Sequence, residues 1–504
     1  MIATVPSATL LGVRGRPVTV EVHVSSGLPG FTIVGLPDAS CREARDRVRA
    51  ALLSSGLPWP LKRVTVNLAP SGLRKAGSQL DLAMAVALLV AEGRLHPEHV
   101  AHTAFVGELG LDGTIRPVTG TVPLVHALDT DAVVVPAASV AEAELIARHQ
   151  VRAAGDLRGL VAALTGSAPW PDGFPPESSP ASVPDPDLSD VRGQPLARLA
   201  LELAAAGGHH LLMVGPPGAG KTMLARRLPG LLPDLGPDHA LEATMVHSAA
   251  GVPLVGGLVR RPPFRAPHHG ASTVSLTGGG SSVMRPGEIS LAHRGVLFLD
   301  ELGEFQASVV DALRQPLEEG VIRVSRASGT VAFPAEVLLV AAMNPCPCGL
   351  GGAPGACRCS DAARARYHRR VSGPILDRFD LRIDVAAPDV DDLLGGAPGE
   401  PSSTVRERVI EVRGRAAHRG APCNAALRPD QLDDVAPLSA GASRLLEDSL
   451  RAGTLTGRGL HRIRRLALTL ADREGHPGEL TAEHVALALA LRSTPVAFEP
   501  GAAA

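Results

Sequence analysis

The chain has 504 residues, of which 45% are hydrophobic, and its formal net charge is −2. Its length exceeds that of one ordinary domain and indicates about three, and its near-neutral charge excludes an overall basic surface for nucleic acid, so any such contact requires a local patch. With six cysteines, no signal-peptide pattern and no apolar run longer than residues 82–91, we expect a cytoplasmic protein with reduced thiols and no contact with membranes.

Residues 1–166 alternate short strand-like runs with helical ones, which predicts an α/β domain. Val18–Val24 alternates like a strand with one buried face, and Val64–Leu68 is a second predicted strand. Asp38–Leu53 has the apolar spacing of a helix that begins after an aspartate cap. Leu80–Glu92 is apolar almost throughout and predicts a buried helix.

The rest of the chain divides at two stretches of linker composition. Residues 167–187 are rich in Pro, Ser and Asp and predict a linker, with an ordered surface loop as the alternative. Residues 188–387 predict a second α/β domain, residues 388–403 a Pro/Gly-rich hinge, and residues 404–504 a helical domain. The predicted elements are strands Leu211–Val214, Val296–Leu299 and Val337–Ala342, and helices Met223–Leu232, Thr404–Arg419, Ser439–Ala452, Arg458–Glu474 and Ala482–Arg492.

A glycine-rich loop joins the first of these strands to the helix that follows it. Its residues fit the pattern G-x-x-x-x-G-K-[ST]; they are Gly215, Pro216, Pro217, Gly218, Ala219, Gly220, Lys221 and Thr222. In such loops the backbone N–H groups and the helix N-terminus bind phosphates, the lysine reaches the β- and γ-phosphates, and the hydroxyl binds Mg²⁺. Because the chain has only three lysines, a chance glycine turn is the weaker alternative. The loop predicts bound ATP with Mg²⁺.

Two carboxylates follow the apolar strand Val296–Leu299. The first acid at such a strand end holds Mg²⁺, directly or through water, and this role falls to Asp300. The second can polarise the attacking water as a general base, and this role falls to Glu301. A strand that ends in Asp-Glu is a weak signal alone, but its pairing with the glycine-rich loop predicts hydrolysis of ATP to ADP and phosphate.

Long motifs are spread over the whole chain. They are GLPGFTIVGLPDAS (27–40), RVTVNLAPSGLRKAGSQLDLA (63–83), FVGELGLDGTIRPV (105–118), RPPFRAPHHGAS (261–272), GEISLAHRGVLFLDEL (287–302), LRQPLEEGVIRVSRA (313–327), AAMNPCPCG (341–349) and SGPILDRFD (372–380). They resemble the magnesium-chelatase-like AAA+ ATPases of the YifB/ComM family. The resemblance implies an α/β chain with an N-terminal Lon-protease-like (ribosomal S5 domain 2-like) domain, an AAA+ P-loop core and a C-terminal helical lid.

The resemblance also implies further site residues. Asn344 occupies the place of sensor 1, which helps to orient the water; the alternative is a turn residue before a proline. Arg378 occupies the place of the arginine finger, which acts in the neighbouring subunit's site and implies a homo-oligomeric ring, a hexamer; the alternative is a salt bridge. In the lid, Arg462 is favoured as the sensor 2 arginine, with Arg458 or Arg465 as alternatives.

ComM-like members are implicated in branch migration of DNA during natural transformation, so the resemblance implies a helicase-type, DNA-remodelling motor. Protein remodelling is the alternative function. The resemblance further implies two inserts, 264–280 and 320–334, that face the pore of a ring. The candidate phosphate contacts in them are Arg265, His268, His269, Arg323 and Arg326. The alternative is that these residues hold the inserts together or cover the ATP site.

Four of the six cysteines lie within fourteen residues, in a Cys-rich insertion at 345–360. They are Cys346, Cys348, Cys357 and Cys359. Four thiolates suit a closed tetrahedral zinc site, although metal-binding pairs are more often spaced C-x-x-C than C-x-C. A redox-sensitive disulfide and free thiols in a loop are the alternatives.

Two rival activities follow from the same resemblance. A Lon-type peptidase needs a serine activated by a lysine, but the serine position holds Gln79, with Ser78 beside it, and no lysine occurs between 76 and 220. We therefore expect a non-proteolytic N-terminal domain. A metal-chelatase motor is the second rival; we expect chelatase motor subunits to lack this N-terminal domain, and the sequence indicates no tetrapyrrole pocket.

Overall fold

The computed structural model describes residues 1–171, 186–280, 284–326, 329–351, 357–395, 397–476 and 478–493. Most of the predicted linker and the middle of the Cys-rich insertion, residues 352–356, therefore lie outside the described residues. Within the described ranges, no helix is long and apolar enough to cross a membrane.

The N-terminal region is an α/β unit, as predicted. Its strands are β1 (Ile2–Leu11), β2 (Arg14–Ser25), β3 (Gly30–Val34), β4 (Arg63–Ala69), β5 (Thr103–Phe105), β6 (Glu108–Leu109), β7 (Ile115–Arg116), β8 (Ala132–Pro136) and β9 (Gln150–Ala154). Its helices are α1 (Ala39–Ser54), α2 (Asp81–Ala91), α3 (Thr121–His126), α4 (Val140–Ala143) and α5 (Leu157–Leu164).

One mixed sheet in the order β1-β2-β4-β3 and one parallel sheet in the order β5-β8-β9 form this unit. Helix α2 is buried along its whole length, as its continuous apolar sequence predicts. The Asp38 carboxylate accepts a hydrogen bond of 2.8 Å from the backbone N–H of Cys41 and so caps α1.

The described ends of the predicted linker are ordered. Trp170 packs on the N-terminal core, with the guanidinium of Arg152 4.8 Å from its ring centroid. At the other end, the Asp187 carboxylate accepts hydrogen bonds from the backbone N–H groups of Ser189 and Ser402. The two described ends of the predicted linker therefore contact the units that flank them.

The central region contains the glycine-rich loop. Its strands are β10 (Leu211–Val214), β11 (Phe264–Arg265), β12 (Val296–Leu299), β13 (Val321–Arg326), β14 (Gly329–Pro334), β15 (Leu338–Met343) and β16 (Leu381–Asp384). Its helices are α6 (Pro195–Gly207), α7 (Lys221–Ala225), α8 (Leu228–Leu231), α9 (Pro237–Ala250), α10 (Thr273–Thr277), α11 (Glu288–Leu291), α12 (Ala307–Ala312), α13 (Arg314–Glu319), α14 (Asp361–His368), α15 (Gly373–Leu376) and α16 (Val390–Gly395).

A five-stranded parallel sheet in the order β11-β12-β15-β10-β16 forms the centre of this region. Strands β13 and β14 form a separate antiparallel hairpin just before β15. Because parallel strands share one carboxyl edge, the loops after β10, β12 and β15 meet there, which is where open α/β sheets bind ligands.

Two predicted elements of this region differ from the structure. The helix predicted at Met223–Leu232 is broken at Arg226 and Arg227 into α7 and α8. Pro229 explains the break, since it has no N–H to donate and its ring clashes with the carbonyl four residues earlier. The predicted hinge at 388–403 contains α16.

The C-terminal region is helical and packs on the central sheet. Its helices are α17 (Ser402–His418), α18 (Pro429–Val435), α19 (Ala440–Arg451), α20 (Gly457–Arg473) and α21 (Ala482–Leu491). The four predicted helices are confirmed, and α18 was not predicted. Apolar residues of this region and of the sheet form one continuous core. The buried Glu202 of α6 accepts hydrogen bonds from Arg408 of α17 and Arg473 of α20, which fastens three helices together.

The N-terminal unit also contacts the central region. Gly12, between β1 and β2, has a φ of +66°, and a Cβ there would lie 2.2 Å from Cγ1 of Val331 in β14. The backbone N–H of Val122 donates to the Ser248 hydroxyl of α9 at 3.3 Å. The hairpin β13–β14 therefore contacts the N-terminal unit through Val331.

Candidate nucleotide and metal sites

The glycine-rich loop runs from the buried strand β10 into α7, as predicted. Gly218 and Gly220 have φ values of +80° and +84°, a left-handed conformation that glycine adopts without a steric penalty. At Gly215, a Cβ would lie 2.1 Å from the carbonyl oxygen of Val385, so a side chain there would push the loop away from the end of β16. The loop geometry therefore depends on glycine at three positions.

Lys221 lies at the start of α7, with 9% of its surface exposed. Its ammonium donates to the carbonyls of Gly215 and Pro216 at 2.7 and 2.9 Å, and to Oδ1 of Asn344 at 3.2 Å. Burial lowers the pKa of Lys221, and the charges of the neighbouring Asp300 and Glu301 partly offset this. The structure thus brings the predicted lysine, both carboxylates and Asn344 to one edge of the sheet.

Thr222 and Asp300 lie side by side. The Thr222 hydroxyl donates a hydrogen bond of 2.7 Å to Oδ2 of Asp300. A hydroxyl and a carboxylate beside a phosphate-binding loop are the oxygen ligands that Mg²⁺ takes in nucleotide sites, where it keeps several waters. These two side chains therefore fit a magnesium ion carried by ATP.

Glu301 has a backbone conformation that is unusual for a residue with a side chain. Its φ is +53°, and its N–H donates to Oδ1 of Asp300 at 3.0 Å. Its carboxylate lies 3.0 Å from Nδ1 of His269. His269 follows β11, the strand beside β12, so the sheet order brings it to Glu301. Of the two roles open to His269, contact with the phosphates of a polymer and cover of the ATP site, this pair fits the second.

A residue missed by the sequence analysis is Gln194, which precedes α6. Its side-chain amide donates to the carbonyl of Ala219 in the glycine-rich loop at 2.8 Å and to that of Ala386 at 3.2 Å. Its φ of +55° aims the side chain at this loop. Pro195 marks a helix start in the sequence, but no local pattern indicates which loop the amide would reach.

Arg378 and Arg462 lie at the opposite edge of the sheet from the glycine-rich loop. Arg378 precedes β16, and its guanidinium is hydrogen-bonded to Glu318 of α13. Arg462 of α20 donates to Oδ1 of Asp380 at 2.5 Å and to the carbonyl of Arg378 at 3.1 Å. Because β10 and β16 are parallel, residues that precede β16 cannot share an edge with the loop that follows β10.

Asp380 is the centre of this second cluster and is 5% exposed. Burial alone would raise the pKa of its carboxyl, but a hydrogen bond from His209 and the charge of Arg462 hold it well below its usual range. The backbone N–H groups of Asp380 and Leu381 both donate to the carbonyl of His210 at 3.0 Å. The segment that carries Arg378 is therefore fixed to β10 and to α20 at the same point.

The two predicted inserts differ in how their charges are used. Arg265 makes a two-point ion pair with Glu288, at 2.7 and 2.9 Å, so its guanidinium is engaged within the fold. On the hairpin β13–β14, Arg326 is exposed, and Arg323 is 59% exposed and lies 3.5 Å from Glu319. The hairpin thus presents two arginines to solvent.

The four clustered cysteines converge in space. Their sulfur atoms all lie within 4.8 Å of one another, and none is in a disulfide. Cys346 is fully buried and follows Asn344 by two residues. This set of thiols could hold a metal ion immediately beside the nucleotide site.

The N-terminal unit does not assemble the residues of a Lon-type peptidase. Gln79 is buried, and its amide donates to the Thr9 hydroxyl at 3.1 Å. The Ser78 hydroxyl is hydrogen-bonded to Glu108. The ammonium of Lys75, fully buried, is hydrogen-bonded to the carbonyl of Pro70. Ser78 and Lys75 are therefore hydrogen-bonded to different residues, Glu108 and Pro70.

Three family models match the chain. The model described as "Magnesium chelatase, subunit ChlI" matches residues 187–393, and that described as "Magnesium chelatase, subunit ChlI C-terminal" matches residues 399–492. A third, described as "Subunit ChlI of Mg-chelatase", matches residues 20–139.

Relatives match along nearly the full length. An uncharacterized protein of Mycobacterium tuberculosis is 45% identical over 501 residues, covering 97% of this chain and 98% of the relative. Competence protein ComM of Haemophilus influenzae is 42% identical over 500 residues, covering 98% of this chain and 97% of the relative. The protein YifB of Escherichia coli is 41% identical over 496 residues, again covering 98% and 97%.

Proposed function

Because the chain belongs to the YifB/ComM family of magnesium-chelatase-like proteins, we propose that it is a ring-forming AAA+ ATPase of the cytoplasm that couples ATP hydrolysis to the remodelling of DNA. The observation that supports this most directly is the convergence of Lys221, Thr222, Asp300 and Asn344 on one loop at the carboxyl edge of the sheet. The proposed cofactors are ATP and Mg²⁺, with Zn²⁺ in a structural role at the four cysteines.

In this proposal each residue at the edge has one task. The loop N–H groups and Lys221 hold the phosphates, and Thr222 and Asp300 hold Mg²⁺, which neutralises the charge that develops on the phosphate oxygens. Glu301 accepts a proton from the attacking water as general base. Asn344 lies within hydrogen-bond distance of Lys221 and is well placed to orient the water and the terminal phosphate together.

The substitution Glu301→Gln tests the catalytic assignment. It removes the base but keeps a polar side chain of the same size, so we expect ATP affinity to be retained and kcat to fall by about 10²- to 10⁴-fold. Glu304→Gln is the matched control, because Glu304 lies on the same turn and pairs with Arg370. Normal turnover in the Glu301→Gln protein would remove Glu301 from this role.

The positions of Arg378 and Arg462 support a ring. Both lie at the sheet edge that is remote from their own phosphate loop, so they can act on phosphates only in a neighbouring copy of the chain. An arginine supplied by a neighbour stabilises the transition-state charge in related NTPases. We therefore propose a closed homo-oligomer, a hexamer, in which each ATP site is completed by the arginine edge of the next subunit.

Two observations support DNA as the polymer. The exposed Arg323 and Arg326 place positive charge on one hairpin of a chain whose net charge is −2, which suits local contact with phosphates over sequence readout. The H. influenzae relative is named a competence protein.

The test of DNA as the polymer is the ATPase rate with forked DNA, four-way DNA or an unfolded polypeptide. We expect stimulation by DNA that is lost in Arg323→Ala/Arg326→Ala and kept in Arg451→Ala, a distant exposed control.

Stimulation by polypeptide without stimulation by any DNA would instead indicate a protein-remodelling ATPase. A chelatase motor remains the other alternative, since all three family models are described as chelatase subunits. The two DNA substrates and the polypeptide also test this alternative, because neither class of polymer should change the ATPase rate of a chelatase motor.

A further inference from the structure

The distances between the cysteine sulfurs are those of a metal-thiolate site. Sγ of Cys346 lies 3.3 Å from that of Cys348 and 3.7 Å from that of Cys357, and the latter two are 3.7 Å apart. In a tetrahedron with zinc–sulfur bonds near 2.3 Å, the sulfur atoms lie about 3.8 Å apart. A disulfide bond would instead require a distance of about 2.05 Å between two sulfur atoms.

A hydrogen-bond donor and a helix N-terminus lie beside the cluster. The backbone N–H of Gly351 donates to Sγ of Cys346 at 3.2 Å, and such hydrogen bonds stabilise negative charge on sulfur. Cys359 is followed directly by Ser360, the N-cap of α14, so the positive end of this helix lies beside the cluster.

The cluster is packed against the phosphate-binding loop. Gly349, between the two cysteine pairs, has a φ of +81°, and a Cβ there would lie 2.6 Å from Cγ and Cδ of Pro217. Gly349 therefore touches the tip of the glycine-rich loop. The same segment begins at Asn344, so the residues from Asn344 to Gly349 join the predicted water-orienting amide to the loop that binds phosphate.

Helix α14 connects the cysteine cluster to the turn that carries Glu301, the proposed general base. Nε2 of His368 lies 2.8 Å from the carbonyl oxygen of Pro345, to which it can donate a hydrogen bond. The ring of Tyr367 packs on Gly303, where a Cβ would lie 2.3 Å from its Cζ. Gly303 is two residues after Glu301. One end of α14 thus starts at the cysteines, and the other supports the turn that carries the proposed general base.

From these contacts we infer that Cys346, Cys348, Cys357 and Cys359 bind one Zn²⁺ ion, and that the bound ion holds Asn344 in position beside the phosphate loop for hydrolysis. Without the ion, we expect the contact between Gly349 and Pro217 to loosen and Asn344 to shift with it. The second part rests on the proposed ATPase function, while the first part stands independently of it. The cysteines are positioning residues in this scheme, because none of them touches the phosphates.

The metal is tested first, on purified full-length protein. We expect about one zinc ion per chain by elemental analysis, and less than about a tenth of that in Cys348→Ser/Cys359→Ser. Cys423→Ser is the matched control, since Cys423 lies outside the cluster, and it should keep its zinc. Replacement by Co²⁺ should give the intense visible absorption of tetrahedral thiolate coordination in the wild type only. Equal zinc in the double variant, or a disulfide with no metal in the wild type, would overturn the site.

The positioning role is tested by a double-mutant cycle on ATPase kinetics. We expect the zinc-deficient variant to lose about tenfold in kcat with less than about a threefold change in ATP affinity. In an Asn344→Ala background, loss of zinc should change kcat by less than about twofold, because the ion acts through that side chain. If the loss of zinc and Asn344→Ala lowered kcat additively, the proposed coupling between the zinc ion and Asn344 would be refuted. A wild-type protein that contains zinc but hydrolyses no ATP would refute the proposed ATPase and leave the metal site standing.

Discussion

The guanidinium of Arg462 donates a hydrogen bond of 3.1 Å to the backbone carbonyl of Arg378. This bond joins a helix of the C-terminal region to the segment that carries the proposed arginine finger. The same nitrogen, Nη1, also donates to Oδ1 of the buried Asp380 at 2.5 Å, so the segment cannot move without disturbing this ion pair. A displacement of α20 would therefore be transmitted to Arg378 and, in the proposed ring, to the ATP site of the next subunit.

If Arg378 acts in a neighbouring site, two inactive variants should complement each other. Arg378→Ala keeps its phosphate loop, and Lys221→Ala keeps its arginine, so each protein alone should have almost no ATPase activity. In randomly mixed rings, an intact loop faces an intact arginine in about one quarter of the interfaces, and we expect about that share of wild-type activity. No recovery in mixtures shown to exchange subunits would contradict action between subunits.

Arg462→Ala should destabilise the protein. The substitution leaves the buried Asp380 carboxylate without its main cation, and such breaks cost about 3 kcal/mol or more. Urea unfolding measures the loss. Arg458→Ala, at an exposed position of the same helix, should change stability by less than about 0.5 kcal/mol.

The companion variant Arg462→Ala/Asp380→Asn separates two contributions to the loss of stability, the unpaired charge of Asp380 and the lost packing of the Arg462 side chain. Because it removes the unpaired carboxylate, we expect it to recover at least about half of the loss. Equal stability of wild type and Arg462→Ala would show that the buried pair contributes little to folding.

His269→Ala should uncouple polymer binding from hydrolysis. His269 belongs to the insert after β11 and lies 3.0 Å from the Glu301 carboxylate, so it links the proposed polymer-binding side to the general base. We expect the basal ATPase rate to stay within about threefold of the wild type and the stimulation by DNA to be lost. His96→Ala is the control, because His96 is exposed and lies in the N-terminal unit, outside both inserts. Unchanged stimulation in the His269→Ala protein would exclude this link.

Acidification should weaken the fold through His293. This residue is 2% exposed, and burial, with the nearby charge of Arg294, lowers its pKa from 6.5 to about 4. Between these two pH values the unfolded chain binds a proton that the folded protein excludes, so stability is complete above pH 6.5 and falls towards pH 4. We expect a loss of roughly 1–3 kcal/mol across this window from this group.

Urea unfolding at several pH values measures this dependence. His293→Asn offers an oxygen that can accept the backbone N–H of Glu336, as Nδ1 of His293 does at 3.1 Å, and has no titrating group. Its stability should therefore depend less steeply on pH between 6.5 and 4. An identical slope in both proteins would assign the effect to other groups.

The sequence by itself determined the local chemistry of the nucleotide site. A glycine-rich loop with its lysine and threonine, and a strand that ends in two carboxylates, are continuous segments whose spacing follows from backbone geometry. The apolar pattern likewise predicted α2 and the four C-terminal helices, because helical burial repeats at a fixed interval. The break between α7 and α8 could have been predicted from Pro229.

Only the tertiary structure decided which distant residues meet. The order of strands in the sheet places His269 beside Glu301 and separates Arg378 from its own phosphate loop, and no local pattern contains that order. The positive φ of Gln194 and the contact of Gly349 with Pro217 depend on packing between segments remote in sequence. Short-range periodicity reports which face of an element is buried, whereas the identity of the covering residue is set by the fold as a whole.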